Sequence, residues 1–392
     1  MAVNDKLIDS VFSNTNKDIS WVRDRTIFLT IHGSIAYGLN DENSDVDLRG
    51  ICTVPKKYLH GYNSHFDQLV RNDPDAQIFS LQKFFKLSSE NNPNTLELMW
   101  VNPKHHLILD DLGRELIDNR DLFLSKQIKE RYIGYAKSQA HRIRSHRKWL
   151  LNPFTHKPTR EEYGLPERPQ IEKNQFDAVK ALILKKLAYW EPSFEPFSES
   201  QKIYLKGEVA DILTEMDITH DAKWLAAART IGLSENLIEV IKSEKEFENK
   251  LTEYDNFQRW KKNRNPKRAA GEAKYGYDLK HATQLVRLLR VGDEALDTGT
   301  LNVERIHDRE ELLEIKHGGM PFDKLIDYTD ALEKKVRLTW EKSKLPNQPN
   351  IKKLDVLCTS LVDKSLSKFS SYSIKKYFKN LFDEQRKELV EG

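Results

Sequence analysis

The sequence is poor in cysteine and has no long apolar run. Its 392 residues include two cysteines, Cys52 and Cys358, which lie far apart. This spacing gives no disulfide framework and no cysteine-based metal motif, and it favours a reducing compartment. The N-terminal segment lacks the apolar core of a signal peptide, and no apolar run approaches the length of a membrane span. We therefore expect a cytoplasmic protein that requires no membrane.

The sequence also lacks a strong excess of charge. Its 63 lysines and arginines nearly balance 60 aspartates and glutamates, so the formal net charge is only +3. A total this small says little about partners, and local clusters must carry any argument for nucleic-acid binding. Hydrophobic residues make up 39% and charged residues 31%, as in a helix-rich globular protein. The length predicts two or three domains.

Short apolar runs alternate with turns over the first hundred residues. The strand-like runs are TIFLTI, SDVDLRGICTV and DAQIF. The segment SLQKFFKLSSE then has apolar side chains at helical spacing, with Ser80 as its N-cap. Asn94 to Glu97 resemble a capping box that opens the next helix. This mixture predicts a small mixed sheet packed with helices.

From about residue 120 the pattern is almost wholly helical. Long amphipathic segments are separated by loops rich in proline and asparagine. We therefore predict an α+β protein in three parts. They are a sheet-containing domain at residues 1–120, a helical domain at 121–345 and a C-terminal helical segment at 346–392.

A Gly-Ser pair follows the first predicted strand. Gly33 has no side chain, so a triphosphate can approach the backbone closely there. Ser34 offers a hydroxyl and can cap the short helix that follows, whose N-terminal N–H groups would attract anions. Taken alone, the pair is weak evidence, because most such pairs are ordinary turns.

Two carboxylates farther along the chain strengthen this interpretation. Asp45 and Asp47 flank Val46 in a strand-like run. Because strand side chains alternate faces, we expect both carboxylates on one face, where they repel each other. Mg²⁺ binds carboxylate and phosphate oxygens, and two such ions can activate a hydroxyl and stabilise a leaving pyrophosphate. The pattern therefore predicts a site for Mg²⁺ or Mn²⁺.

Gly33-Ser34 followed by Asp45-x-Asp47 resembles the signature of the DNA polymerase β superfamily of nucleotidyltransferases. Other segments are similar to the branch of predicted nucleotidyltransferases that includes the RNA-ligase-associated RNA-repair type. These segments are GSIAYG (33–38), SDVDLRG (44–50), NPNTLE (92–97), GYAKSQ (134–139) and GYDLKHA (276–282). The similarity is intermittent. The stretch 150–265 is longer than the resemblance leads us to expect, and we interpret it as an elaboration specific to this protein. The resemblance implies a polymerase-β-like nucleotidyltransferase domain followed by a mainly helical region.

The resemblance also implies a third carboxylate on a later strand. Asp75 is the best match, as a metal ligand or as a general base toward the incoming hydroxyl. Asp67 and Asp73 are its competitors, and the structural alternative is that Asp75 is simply a turn residue after Pro74. In this scheme Asp45, Asp47 and Asp75 are catalytic metal ligands, whereas Gly33 and Ser34 hold the β- and γ-phosphates.

A polar stripe lies on the strongest predicted helix. Lys280, Gln284 and Arg287 recur at i, i+4 and i+7. Such a stripe can clamp phosphates or can be a solvated helix face. The resemblance around these positions favours nucleotide binding by Lys280 and Arg287. The neighbouring His281 is more often structural when it stands alone on a helix.

Two basic clusters are candidates for RNA contact. The first spans residues 137–148, and the second spans residues 259–268 and contains Trp260. Basic side chains with an aromatic can hold an RNA backbone and stack a base, although charged helical surfaces look the same. Arg49, beside the acidic pair, can contact phosphate or pair with a carboxylate.

The expected reaction is transfer of a nucleoside monophosphate from a nucleoside triphosphate to an acceptor hydroxyl, with release of pyrophosphate. An RNA end is the first choice of acceptor. A protein side chain that receives AMP or UMP, and a small molecule, are the alternatives. A non-catalytic nucleotide- or RNA-binding module is the alternative of another class. The sequence leaves open the nucleobase, the oligomeric state, any protein partner and a cellular or viral origin.

Overall fold

The computed structural model describes residues 2–13, 17–42, 44–169, 172–190, 228–229, 232–264 and 266–370. The chain forms two compact units. The first comprises residues 1–147 and 271–392, and the second comprises residues 148–270. Neither unit has a limit at residue 120 or 345, so the three-part division stays a prediction. The end of the predicted C-terminal segment, residues 371–392, lies outside the described residues.

The first unit is built on a five-stranded mixed sheet. Its strands are β1 Thr26–His32, β2 Asp47–Cys52, β3 Gln68–Asn72, β4 Asp75–Ser80 and β5 His106–Leu109. The strand order is β3-β4-β2-β1-β5. Strand β2 pairs with β4 in parallel, and the other three pairings are antiparallel. The sequence predicted β1, β2 and β4. It missed β3 and β5, two short strands of mainly half-buried or exposed residues that carry no strong apolar alternation.

Helices make up most of the rest of the described chain. In chain order they are α1 Ala2–Phe12, α2 Gly33–Ala36, α3 Lys56–His60, α4 Leu81–Ser89, α5 Pro93–Leu96, α6 Asp111–Asp118, α7 Ile128–Leu151, α8 Lys173–Trp190, α9 Glu235–Asn263, α10 Pro266–Tyr275, α11 Leu279–Thr298, α12 Arg309–Lys316, α13 Phe322–Lys342 and α14 351–370. Short 3₁₀ helices lie at Lys17–Val22, Glu97–Trp100, Pro103–His105, Arg120–Phe123 and Glu161–Tyr163. In the part of the chain that the structure describes, no helix is long and apolar enough to cross a bilayer.

Both faces of the sheet are covered. Phe28 and Ile51 point to a large core that also contains Tyr132 of α7 and residues of α11 to α14. Leu29 and Leu48, next to them in alternation, point to a smaller core with α1. Burial on both faces explains why β1 and β2 stand out in the sequence as apolar runs. The arrangement confirms the predicted α+β class.

The helix caps test two local predictions. The Ser80 side chain accepts a hydrogen bond from the Lys83 N–H, so the predicted N-cap of α4 is confirmed. The capping box at Asn94 to Glu97 is wrong. Asn92 is the N-cap of α5 instead, and its side chain accepts from the Asn94 N–H. Pro93 explains the difference, because its fixed φ suits the first helical position.

The second unit has its own small core. Phe176, Ile183, Ile238 and Ile241 are buried there between α8 and α9. A group of aromatic rings also packs in this unit: Trp149 has its ring centroid 6.0 Å from that of Phe257 and 5.5 Å from that of Trp260.

Candidate active site

The turn after β1 depends on a glycine. Gly33 has φ +64°, a conformation that side chains disfavour. A Cβ at Gly33 would also lie 2.0 Å from Oδ2 of Asp47, so the carboxylate occupies the place of the missing side chain. Helix α2 starts at Gly33, with His32 as its N-cap and no capping side chain. Ser34 therefore lies inside this short helix, and its predicted role as a cap is wrong because the chain turns one residue earlier.

Asp47 and Asp75 meet at one edge of the sheet. Each is the first residue of its strand, and the strands β2 and β4 run in parallel with Leu48 opposite Ala76. Burial raises the pKa of Asp47, and hydrogen bonding and charge repulsion from Asp75 raise it further. Two carboxylates therefore share one site, which we call the acidic edge.

Asp45 lies outside the strand in which the sequence placed it. Strand β2 begins only at Asp47, and Asp45 is exposed in the irregular segment before it. The alternation of strand faces, from which we placed Asp45 beside Asp47, therefore does not apply. A metal-binding role for Asp45 stays a prediction.

The structure separates the three candidates for the third carboxylate. The Asp67 carbonyl accepts a hydrogen bond from the Ser80 N–H, so Asp67 lies at the far end of β4. At strand spacing this end is about 16 Å from Asp75. The Asp67 carboxylate lies 3.2 Å from Lys83 Nζ, and that lysine lowers the pKa of Asp67. Asp73 is exposed in the β3–β4 turn. Asp75 is the candidate that the fold brings to Asp47.

Two cations face the acidic edge. Arg49 Nη1 lies 3.0 Å from Asp75 Oδ1, which agrees with the predicted pairing to a carboxylate. Lys280 is exposed in the first turn of α11, and its charge opposes the rise in the pKa of Asp47. The fold thus brings Lys280, from a distant part of the sequence, within electrostatic reach of the predicted metal ligands.

Arg287 occupies a different environment from Lys280. Its side chain is 3% exposed, and Nη1 donates to Glu97 Oε2 at 2.9 Å. Its Cζ atom lies 3.8 Å from the centroid of the Tyr37 ring. The predicted polar stripe is therefore divided, because the later turns of α11 enter the core. The nucleotide-binding role of Arg287 stays a prediction, but its geometry is that of a positioning residue.

The buried pair connects to the glycine turn. The Tyr37 hydroxyl and His32 Nε2 are 3.2 Å apart, and His32 pairs with Asp47 across β1 and β2. Burial, together with the charges of Arg287 and Arg49, lowers the pKa of His32 to about 3. His32 is therefore neutral at physiological pH. We name Glu97, Arg287, Tyr37 and His32 the buried network.

Sequence reasoning missed most of the buried network. Glu97 was predicted as a capping residue, and His32 and Tyr37 received no role. The available signal was the presence of a histidine and a tyrosine within and beside the glycine motif, but neither residue type indicates burial by itself.

The helical part of the first unit also fixes the backbone after α2. The Arg305 N–H donates to the Tyr37 carbonyl at 2.9 Å, and Arg309 Nε donates to the Gly38 carbonyl at 2.7 Å. Lys316 Nζ donates to the Leu39 carbonyl at 2.6 Å. These bonds explain why a motif near the N-terminus needs residues near 310 to hold its shape.

The basic clusters are partly engaged within the protein. In the first, Lys137 Nζ lies 3.1 Å from Glu333, and Arg147 Nη1 donates to the Gly276 carbonyl at 3.0 Å. Arg142 and Arg144 of the same helix are exposed. In the second, Trp260 packs in the aromatic group of the second unit, and the side chains of residues 267–268 lie outside the described part. An RNA role for either cluster stays a prediction.

The N-terminal part of the chain is similar to known proteins. Residues 7–162 match the model of the RNA repair pathway DNA polymerase beta family (RlaP), which confirms the predicted resemblance over that part of the chain. A relative in Enterobacteria phage T4, named "Uncharacterized 38.9 kDa protein in nrdC-mobD intergenic region", is 27% identical over 128 residues. That match covers 30% of this chain and 38% of the phage protein. No solved structure matches significantly.

Proposed function

We propose, from the match of residues 7–162 to a DNA polymerase β-type family of RNA repair, that this protein is a Mg²⁺-dependent nucleotidyltransferase. The proposed reaction moves a nucleoside monophosphate from a nucleoside triphosphate to a hydroxyl, most directly at an RNA end, and releases pyrophosphate. The observation that carries the proposal is that Asp47, which occupies the place of the missing Gly33 side chain, meets Asp75.

The chemistry of the acidic edge suits a hard divalent cation. Asp47 and Asp75 offer carboxylate oxygens, which are the ligands that Mg²⁺ prefers, and Asp45 can add a third carboxylate from the preceding segment. Burial and the neighbouring Asp75 raise the pKa of Asp47, and a bound cation would relieve the repulsion between the two carboxylates. When bound, Mg²⁺ would supply charge neutralisation for the phosphates and acidify the attacking hydroxyl.

The protein's own cations and backbone complete the proposed site. Lys280 lies on the exposed first turn of α11, where its ammonium group can hold a phosphate oxygen. Arg49 orients the Asp75 carboxylate through the 3.0 Å ion pair. The Gly33 backbone lies beside Asp47, and Ser34 is the next residue of α2. The β- and γ-phosphates are proposed to bind the Gly33 backbone and the Ser34 hydroxyl.

RNA is the acceptor that the observations favour. The matched family is described by an RNA repair pathway, and exposed Arg142 and Arg144 of α7 supply positive charge in the first unit. A protein side chain and a small molecule stay alternatives, and the experiment below distinguishes the protein side chain from RNA.

The test is transfer of an α-labelled nucleotide. Purified protein, each α-labelled triphosphate in turn, Mg²⁺ and RNA with a free 3′ hydroxyl are incubated, and label is followed on RNA and on protein. We expect label on RNA, and we expect Asp47→Asn to reduce it by about 10²-fold or more, because the lost carboxylate holds charge in the transition state.

Asp67→Asn is the matched control, since it removes a carboxylate at the other end of β4 and should retain activity. Label on protein alone would show that the acceptor is a protein side chain and not RNA. Near-normal transfer by folded Asp47→Asn would falsify the mechanism. Tight binding of triphosphate without pyrophosphate release would favour a binding module.

A further inference from the structure

A second group of metal-ligand side chains shares no residue with the acidic edge. His146 of α7, Asp278 immediately before α11 and His281 in its first turn each offer a ligand atom, all within 4.8 Å of one another. Glu272 of α10 lies beside them, with Oε1 3.9 Å from His146 Nδ1. Three separate elements of the first unit therefore converge on two imidazoles and two carboxylates.

A glutamine fixes the orientation of one imidazole. His281 Nδ1 lies 2.6 Å from Gln139 Oε1, so Nδ1 donates its proton to the amide oxygen. The proton on Nδ1 leaves Nε2 with the lone pair in the neutral ring. Metal-binding histidines commonly donate their other ring N–H to an oxygen in this way, which fixes tautomer and direction.

The carboxylate that faces His281 has a divided role. Asp278 Oδ1 accepts the backbone N–H of His281 at 3.0 Å and caps α11. Asp278 Oδ2 lies 3.6 Å from His281 Nε2, which is longer than a hydrogen bond. The Asp278 side chain is 4% exposed and the His281 side chain 14%. One oxygen thus holds the helix while the other faces the imidazole nitrogen.

These distances suit a small tetrahedral ion. Zn²⁺ with nitrogen and oxygen ligands at about 2.0–2.1 Å places neighbouring ligand atoms roughly 3.4 Å apart. The 3.6 Å separation of Asp278 Oδ2 and His281 Nε2 is close to that edge. The wider 4.8 Å span of the group closes with side-chain movements of about 1 Å.

We propose that His146, Asp278 and His281, with Glu272, bind a divalent transition metal of the Zn²⁺ type. Mixed imidazole and carboxylate ligands favour such an ion over Mg²⁺, which prefers oxygen. The ion would join α7 to the first turn of α11, the turn that carries Lys280. The proposal does not depend on the transferase reaction.

The test uses Zn²⁺ alone as the probe on the full-length protein. Excess Mg²⁺ is present so that the acidic edge is occupied by the harder ion. The metal content is measured after dialysis, and the affinity is measured by competition with a chromophoric chelator. We expect one Zn²⁺ per chain and a rise in thermal midpoint on binding.

Three variants locate the site. Asp278→Asn keeps an N-cap oxygen but loses the charge, and His281→Ala removes a ligand; both should bind at least about 10-fold more weakly. Gln139→Ala should also weaken binding by about 10-fold through the lost orientation. His141 is exposed on α7, the helix that carries Gln139 and His146. His141→Ala is the control and should bind Zn²⁺ as tightly as the parent protein does.

Circular dichroism of each variant shows whether it is folded. The parent protein by itself decides the first question, because failure to retain Zn²⁺ would overturn the proposal even if every variant unfolded. Equal retention by folded His281→Ala and by the parent would do the same, since the ion would then lie elsewhere.

Discussion

The acidic edge and the buried network differ in the signs of the charges that they bring into contact. At the acidic edge, Asp47 and Asp75 are like charges in contact, and burial and repulsion raise the pKa of Asp47. In the buried network, Arg287 and Glu97 are opposite charges at 2.9 Å, with side chains 3% and 1% exposed. The first arrangement lowers the stability of the folded protein and would be relieved by a bound cation, whereas in the second the two opposite charges compensate each other.

This difference separates a site from its support. Repulsion that folding tolerates, even with Arg49 paired to Asp75, indicates a group kept for a ligand, because a merely structural position would be better filled by a neutral residue. A buried pair of opposite charges indicates a group that holds other groups in place. The two regions are linked through Tyr37 and His32, so variants in each region show where the support ends and the site begins.

The largest expected effect is on the buried network. Arg287→Met should lower the free energy of unfolding by about 3–5 kcal/mol, because Glu97 would be left buried without a countercharge. Denaturant unfolding measures this change. Combining it with Glu97→Leu should recover much of the loss, since the uncompensated charge is then removed. A folded Arg287→Met of normal stability that no longer binds nucleotide would instead place Arg287 in direct contact with substrate.

The glycine turn should be the next most sensitive position. Gly33→Ala introduces a Cβ 2.0 Å from Asp47 Oδ2 at a φ of +64°. We expect a loss of about 1–3 kcal/mol in the free energy of unfolding, together with loss of nucleotide transfer. Gly134→Ala is the matched control, because a Cβ there has no atom within 4 Å. As an exposed mid-helix change it should stabilise the protein by about 1 kcal/mol, and an equal response of both variants would refute the role of the close contact.

Asp47 lies beside the start of β4 and Asp67 lies near its end, and the two carboxylates should respond to pH with opposite signs. The pKa of Asp47 is higher in the folded state than in the unfolded state. Stability therefore falls as pH rises from the unfolded pKa through the folded pKa, because Asp47 then ionises less readily in the folded protein. Asp47→Asn should therefore raise the thermal midpoint at neutral pH, and the gain should disappear in acid. Lys83 lowers the pKa of Asp67, so its contribution is present at neutral pH and is lost as pH falls through the folded pKa. Asp67→Asn should slightly lower the midpoint at neutral pH, and matching signs would contradict this account.

The smallest expected effect lies on the exposed basic surface. Removing both Arg142 and Arg144 as alanines should weaken RNA binding several-fold at low salt. The slope of log affinity against log salt should fall by about 2, one for each lost phosphate contact. Fluorescence anisotropy with a labelled RNA measures both quantities. An unchanged slope would show that RNA does not contact this face of α7.

The local predictions succeeded where neighbouring residues set the outcome. The strands β1, β2 and β4 and the Ser80 cap follow from apolar runs and from a side chain that bonds three residues ahead. The prediction that Asp45 lies in a strand with Asp47 was wrong, because strand limits depend on pairing and pairing in β2 begins at Asp47. The predicted capping role of Glu97 missed its ion pair, because the partner Arg287 lies far away in the sequence.

The sequence by itself determined the α+β class, the glycine turn and the carboxylates of a nucleotidyltransferase motif, because those features depend on short-range spacing and on residue chemistry. The tertiary structure decided that Asp75, and not Asp67, lies beside Asp47, because parallel pairing of β2 with β4 aligns the starts of two strands. It also decided that Lys280 faces the carboxylates while Arg287 is buried. The two residues share a helix, but burial is set by what packs against each turn.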